Sequence, residues 1–203
     1  MVVLIKEESL KPQNFPETNL LKQCTKIKAL PNGKTVYMLN NKEEILGTAD
    51  KVYMTYKNFP KDVNVGESIL LDDGKLLFTV LETDREFEVK AIVVQGGPLK
   101  SKKGVNLPNT KVSLPALTEK DIKDALFAIK LDVDWIALSF VRTPEDLEDL
   151  RLLIEKHGTH KIPIIAKIEK PEAVANINKI VSHCDGLMVA RGDLGVEIPA
   201  QEV

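Results

Sequence analysis

The hydrophobic pattern of this chain changes period once, at Leu114-Pro115, and that change constrains the fold more than any other feature. Before it, apolar residues fall in short runs: residues 36–39, 51–56, 68–71, 75–81 and 87–94. Each has strand length and strand composition. Along the last of them Phe87, Val89, Ala91 and Val93 share one face, and Glu88 and Lys90 the other. Asp72-Asp73-Gly74 separates two runs as a tight hairpin turn does. Several short strands at this spacing predict an all-β domain over residues 30–114, a small β-barrel or sandwich.

After Leu114-Pro115 strands and helices alternate. Thr118 with Asp121 forms a capping-box pattern, and Ile122, Ala125, Leu126 and Ile129 make an apolar stripe. Residues 135–141 read as a buried strand. Thr143 as N-cap and Pro144 at the first helical position then open a helix lined by Leu147, Leu150 and Ile154, which Gly158 ends. Residues 162–168 form a second apolar strand, followed by a helix with Val174, Ile177 and Val181 inward. Residues 186–190 form a third strand that runs directly into Arg191-Gly192-Asp193. Strands buried on both faces and joined by helices predict a parallel sheet in an α/β domain, residues 115–203. Residues 1–29, with Pro12 and Pro16, show no period and are expected to be irregular or weakly helical.

Composition narrows the classes. The 203 residues carry 28 Lys and Arg against 30 Asp and Glu, and 43% are hydrophobic, which suits a soluble globular protein. A net charge of −2 argues against nucleic-acid binding by bulk electrostatics, and no apolar run approaches the roughly 18 residues of a membrane span. Cys24 and Cys184 are too few for a disulfide scaffold or structural zinc, and the apolar start is too short for a signal peptide. A reducing cytoplasm is the expected setting.

A parallel sheet holds ligands at the carboxyl ends of its strands. The second strand ends in Lys167-Ile168-Glu169, whose two charged side chains point to the same side of an apolar strand. A ligand site and a local Lys–Glu contact at the sheet rim both fit that pattern. The third ends in Ala190-Arg191-Gly192-Asp193-Leu194-Gly195, where the glycines permit close backbone approach to an anion. On spacing alone, a plain glycine turn with Asp193 as helix cap fits somewhat better. If Glu169 and Asp193 converge on a cation, oxygen-only ligands favour magnesium or manganese. Lys102-Lys103-Gly104, in the β-rich part, suits phosphate contact or a solvated loop. His157, His160 and His183 receive no role, and Cys184 is expected to be a small core residue.

Four stretches together resemble pyruvate kinase, in that family's order and at its approximate spacings: Ser101-Lys102-Lys103-Gly104-Val105-Asn106-Leu107-Pro108, Leu114-Pro115-Ala116-Leu117-Thr118-Glu119-Lys120-Asp121, Ile165-Ala166-Lys167-Ile168-Glu169, and Met188 to Pro199 through Ala190-Arg191-Gly192-Asp193. The resemblance covers about residues 30–203. It implies a β-rich lid domain inserted in an eight-stranded βα-barrel, of which only the fourth to sixth strands are expected here. It assigns Glu169 and Asp193 to the divalent cation, Mg2+ or Mn2+, and Lys167 to the phosphoryl group in flight. Ala190, Arg191 and Gly192, with Asp193, become the backbone cradle around the substrate. Lys103 becomes a nucleotide-phosphate contact. The implied reaction moves phosphate from phosphoenolpyruvate to ADP, giving pyruvate and ATP, in a family that is usually homo-oligomeric. The K+ ligands expected of the family have no counterpart in these residues. Three strands of eight cannot close a barrel, so the chain is expected to be an inactive piece of such an enzyme. A non-catalytic metal- or nucleotide-binding module is the alternative. A different barrel enzyme acting on an oxo-acid with a lysine and two carboxylates is a third reading.

Overall fold

In the computed structural model, residues 2–5, 27–40, 47–48, 50–100 and 103–203 are described. Ser101, Lys102 and Cys24 lie outside them, as does most of the segment expected to be irregular. Within that segment two strands correct the expectation: β1 (Val2–Ile5) and β2 (Ile27–Leu30). The chain divides into two compact units, residues 17–113 and residues 1–16 with 114–203.

In the first unit, β2 is followed by β3 (Thr35–Leu39), β4 (Lys51–Tyr53), a single helical turn α1 (Phe59–Asp62), β5 (Ser68–Leu71), β6 (Leu76–Thr83), β7 (Glu88–Gln95), β8 (Gly97–Leu99) and β9 (Val105–Asn106). Six of the strands form one sheet in the order β4-β3-β7-β6-β5-β9, and β2 pairs with β8 alone. The alternation expected of half-buried strands is present: Val36 and Met38 of β3, Phe78 and Val80 of β6, and Val89, Ala91 and Val93 of β7 all point into the core. Phe87 departs from its assigned face and is 41% exposed. It precedes β7, in a turn where the Asp84 carboxylate accepts the backbone N–H groups of Glu86, Phe87 and Glu88 at 2.8, 2.8 and 2.9 Å. β5 and β6 are antiparallel with Leu71 opposite Leu76. The chain reverses between them through Asp72, Asp73 and Gly74, at φ values of 53°, 57° and 79°. Aspartate tolerates this left-handed region better than most residues and glycine best of all, so the hairpin is written into the sequence. No ladder joins β4 to β9 among the described residues.

The second unit contains β1, α2 (Glu119–Lys130), β10 (Trp135–Leu138), α3 (Pro144–His157), β11 (Ile164–Ile168), α4 (Pro171–Ala175), α5 (Ile177–Val181), β12 (Gly186–Val189) and α6 (Arg191–Glu197). A final turn of 3-10 helix covers Ala200–Glu202. β10, β11 and β12 are parallel neighbours, as the strand–helix alternation requires. β1 joins the same sheet on the far side of β10 and runs antiparallel to it, with Val2 opposite Leu138 and Ile5 opposite Trp135. An antiparallel strand within this sheet was not foreseen.

The helix starts follow their caps. Thr118 Oγ1 accepts the Asp121 N–H at 3.2 Å, while the Asp121 carboxylate accepts the Thr118 N–H at 3.1 Å. Asp146 accepts the N–H groups of Arg142 and Thr143 at 2.8 and 3.1 Å in front of α3. Leu147, Leu150 and Ile154 of α3 pack with Ala125, Ala128 and Ile129 of α2 and with Ile136, Leu138, Ile164, Ala166 and Ile168 of the strands. Gly158 ends α3 in extended backbone, where a Cβ would stand 2.8 Å from the Ile154 carbonyl oxygen.

Three inward faces need correcting. Ile122 is exposed, and Ala128 takes its place in the core. The single helix expected after β11 breaks at Asn176, whose side chain donates to the Arg142 carbonyl at 3.0 Å. The break resets the helical phase, so Ala173 and Ile180 are buried while Val174 and Val181 face outward. β12 is not covered on both faces: as the edge of the sheet it leaves Leu187, Met188 and Val189 exposed.

Candidate active site

The carboxyl ends of β10, β11 and β12 bring the charged residues of this unit together. Lys167, inside β11, and Glu169, just beyond its end, lie on one side of the strand, and Lys167 Nζ approaches Glu169 Oε1 at 2.5 Å. The Glu169 side chain is 1% exposed and that of Lys167 14%. A carboxylate so deeply buried needs compensation. It receives a second bond from the Phe140 N–H, which donates to Oε2 at 2.8 Å. Phe140 holds φ at 58°, unusual for a bulky residue, and this places its amide at the end of β10 facing β11. One residue earlier, the fully buried Ser139 accepts a hydrogen bond from Lys167 Nζ at 3.0 Å.

The end of β12 is tied to the same rim. Ile168 pairs with Val189, and the Ala190 N–H donates to the Ile168 carbonyl at 3.1 Å. Ala190 is the N-cap of α6, so Arg191, Gly192 and Asp193 form its exposed first turn. A Cβ built on Gly192 meets nothing within 4 Å. Packing within the chain therefore does not demand glycine there, and the backbone is open to an approaching group. At the far end of α6, the buried Glu197 is ion-paired with Lys170 at 2.6 Å. That pair ties the helix to the residue that follows Glu169.

Lys167 and Glu169 are thus brought into direct contact, and Ala190 adjoins them across the ladder. Asp193 stands one helical turn from β12, with no contact to Glu169 among those described. No group of three or more His, Cys, Asp or Glu side chains among the described residues forms a ready cation cage. One carboxylate beyond the end of β11 and another in the first turn of α6 nonetheless suit a hard divalent ion, because magnesium commonly takes one or two carboxylates and fills its remaining positions with water and substrate oxygens. Each oxygen of Glu169 also keeps a lone pair beyond the bond described.

Sequence reasoning missed Ser139, Phe140, Lys170 and Glu197. Ser139 carried a signal, as the polar residue closing an apolar strand. The amide of Phe140 carried none, because its role comes from backbone direction. Lys103, in the other unit, forms an ion pair with Asp72 of the β5–β6 turn at 2.8 Å. The hydrogen bond from Lys103 holds the Asp72 carboxyl below its usual range against the opposing effect of burial. His160 and His183 lie beside Asp132 and Glu148 at 3.4 Å, away from these strand ends. Cys184 packs partly buried against the core, as expected.

The chain matches the family model described as the barrel domain of pyruvate kinase over residues 16–203. It belongs to the pyruvate kinase family. The match begins before residue 30, so residues 16–29 join the family region that the motifs alone did not reach. The reading as a different barrel enzyme is set aside by this membership. Over 161 residues, 79% of the chain, it is 53% identical to a pyruvate kinase of Geobacillus stearothermophilus, covering 27% of that protein. It is 50% identical to one of Corynebacterium efficiens over 161 residues, covering 79% of the chain and 34% of the relative. It is 49% identical to one of Staphylococcus haemolyticus over 175 residues, covering 86% of the chain and 30% of the relative. The chain therefore spans about a third of the length of the curated relatives it matches. No helix among the described residues is long and apolar enough to cross a membrane.

Proposed function

We propose that the strand ends of the α/β unit form the phosphoryl-transfer portion of a pyruvate kinase site, acting on phosphoenolpyruvate and ADP. The observation that carries this reading is the buried Lys167–Glu169 pair at the carboxyl rim, with α6 starting from Ala190, whose N–H is bonded to the Ile168 carbonyl. Phosphoryl transfer asks for positioning and charge neutralisation more than for covalent chemistry. Lys167 offers a nearly enclosed ammonium to the transferring oxygens, and its pairing with Glu169 keeps it in place. Glu169 and Asp193 would hold a divalent cation, Mg2+ or Mn2+, which supplies Lewis-acid neutralisation of the substrate's oxygens when bound. Gly192, with Ala190 and Arg191, presents main chain to the substrate. Lys103 is assigned to the nucleotide phosphates, and its partner Asp72 fixes its resting position. The β-rich unit acts as the lid, and the expected setting is the cytoplasm.

By itself the chain is expected to bind without turning over, because it spans about a third of its relatives. That same fact favours the second reading, a metal- and nucleotide-binding module without catalysis. Calorimetry with phosphoenolpyruvate, ADP and Mg2+, together with a coupled assay for pyruvate, tests both. Mg2+-dependent phosphoenolpyruvate binding that disappears in Glu169→Gln and Asp193→Asn supports the phosphotransfer site. Binding of ADP and Mg2+ with no response to phosphoenolpyruvate favours the module. Binding that survives both substitutions would overturn the assignment of the two carboxylates.

A further inference from the structure

We propose that Ser139 is the positioning residue of the lysine, fixing the direction in which Lys167 presents its remaining N–H. This deepens the reading above and rests on it for the identity of the group addressed. An alkylammonium has three N–H donors in a fixed tetrahedral arrangement. Glu169 Oε1 takes one at 2.5 Å and Ser139 Oγ takes another at 3.0 Å. A single anchor would leave the ammonium free to rotate about its bond. Two anchors, one just beyond β10 and one just beyond β11, leave the third donor one direction, toward an incoming oxygen.

Ser139 is suited to that task by its place. It is fully buried at the end of β10, next to the strand that carries Lys167. Burial limits the rotamers open to the hydroxyl and keeps water from competing for it. The next residue, Phe140, donates its amide to the other oxygen of Glu169 at 2.8 Å. Two consecutive residues just beyond β10 therefore hold the two ends of one ion pair, Ser139 the cation and Phe140 the anion. This arrangement accounts for a buried polar side chain that core packing alone would not choose.

The test is nuclear magnetic resonance of the 15N-labelled chain, observing the Lys167 ammonium protons and assigning them by their loss in Lys167→Arg. An ammonium held at two points exchanges slowly with water and gives a resolved signal. Ser139→Ala and Ser139→Val are expected to speed that exchange by about tenfold or more, the scale of one hydrogen bond to a charged group. Ser139→Thr, which keeps the hydroxyl, is expected to restore the signal. Val against Thr separates the hydroxyl from side-chain volume, and Trp135 fluorescence checks that each variant is folded. Unchanged exchange in both Ala and Val, or no resolved signal in the parent chain, would overturn the proposal. Adding phosphoenolpyruvate with Mg2+ then separates the two readings. A signal that depends on Ser139 but ignores both additions leaves Ser139 as the holder of the lysine and overturns the phosphotransfer assignment.

Discussion

Glu169→Gln removes one charge from a side chain that is 1% exposed and leaves its size almost unchanged. Phe140 can still donate to the amide oxygen, so the loss is concentrated on Lys167, which keeps Ser139 but no counter-charge. Breaking a fully buried pair from one side costs about 3–5 kcal/mol, but Lys167 retains a route to water through its exposed part, so we expect about 2 kcal/mol. Lys167→Met leaves the carboxylate enclosed with the Phe140 amide and should cost about 3 kcal/mol. The double variant carries no charge at the site and should also cost about 2 kcal/mol, against about 5 for the two single changes together, a coupling of about 3 kcal/mol. Trp135 is the only tryptophan of the chain and lies in β10, so its fluorescence in urea reports on the α/β unit by itself. With a slope of about 2 kcal/mol/M, Glu169→Gln should lower the urea midpoint by about 1 M. Additive losses, or single variants within about 0.5 kcal/mol of the parent, would refute the claim that the pair is buried and mutually dependent.

Three further outcomes test other parts of the molecule. Burial disfavours a charge on Asp185, but hydrogen bonds from Arg151, the Ile164 amide and Lys161 outweigh it and hold its carboxyl well below the usual range. Its stabilisation is therefore fully present above the unfolded value of about 4 and is lost as pH falls through the lower folded value; Asp185→Asn should abolish that part of the acid dependence in urea titrations at a series of pH values. Deleting residues 1–5 removes β1 and uncovers the ladder edge of β10, so sedimentation should show concentration-dependent association; an unchanged sedimentation coefficient would contradict the pairing. Gly158→Ala places a Cβ 2.8 Å from the Ile154 carbonyl oxygen and 3.2 Å from that of His160, and should cost about 1–2 kcal/mol in thermal unfolding; a neutral result would mean that the turn relaxes freely.

Magnesium offers a separate view of the site. If Glu169 and Asp193 share the ion, adding it should stabilise the α/β unit by mass action, and either substitution should remove the effect. Such stabilisation without phosphoenolpyruvate would mean that the two carboxylates and water suffice to hold the ion.

What the sequence determined by itself is local or periodic. Thr118 and Thr143 mark helix starts because the groups that cap them lie within three residues. Asp72-Asp73-Gly74 marks a hairpin because left-handed backbone is a property of those residue types. Lys167 and Glu169 share a side because side chains alternate along a strand. The tertiary structure decided whatever depends on a partner distant in the chain. The antiparallel course of β1 depends on β10, more than a hundred residues away. The exposure of Val174 and Val181 follows from a break at Asn176 that answers to the Arg142 carbonyl. The grip on Lys167 and Glu169 comes from a serine hydroxyl and a main-chain amide just past the end of the neighbouring strand. Periodicity shows which face of an element turns inward, but only packing shows what that face meets.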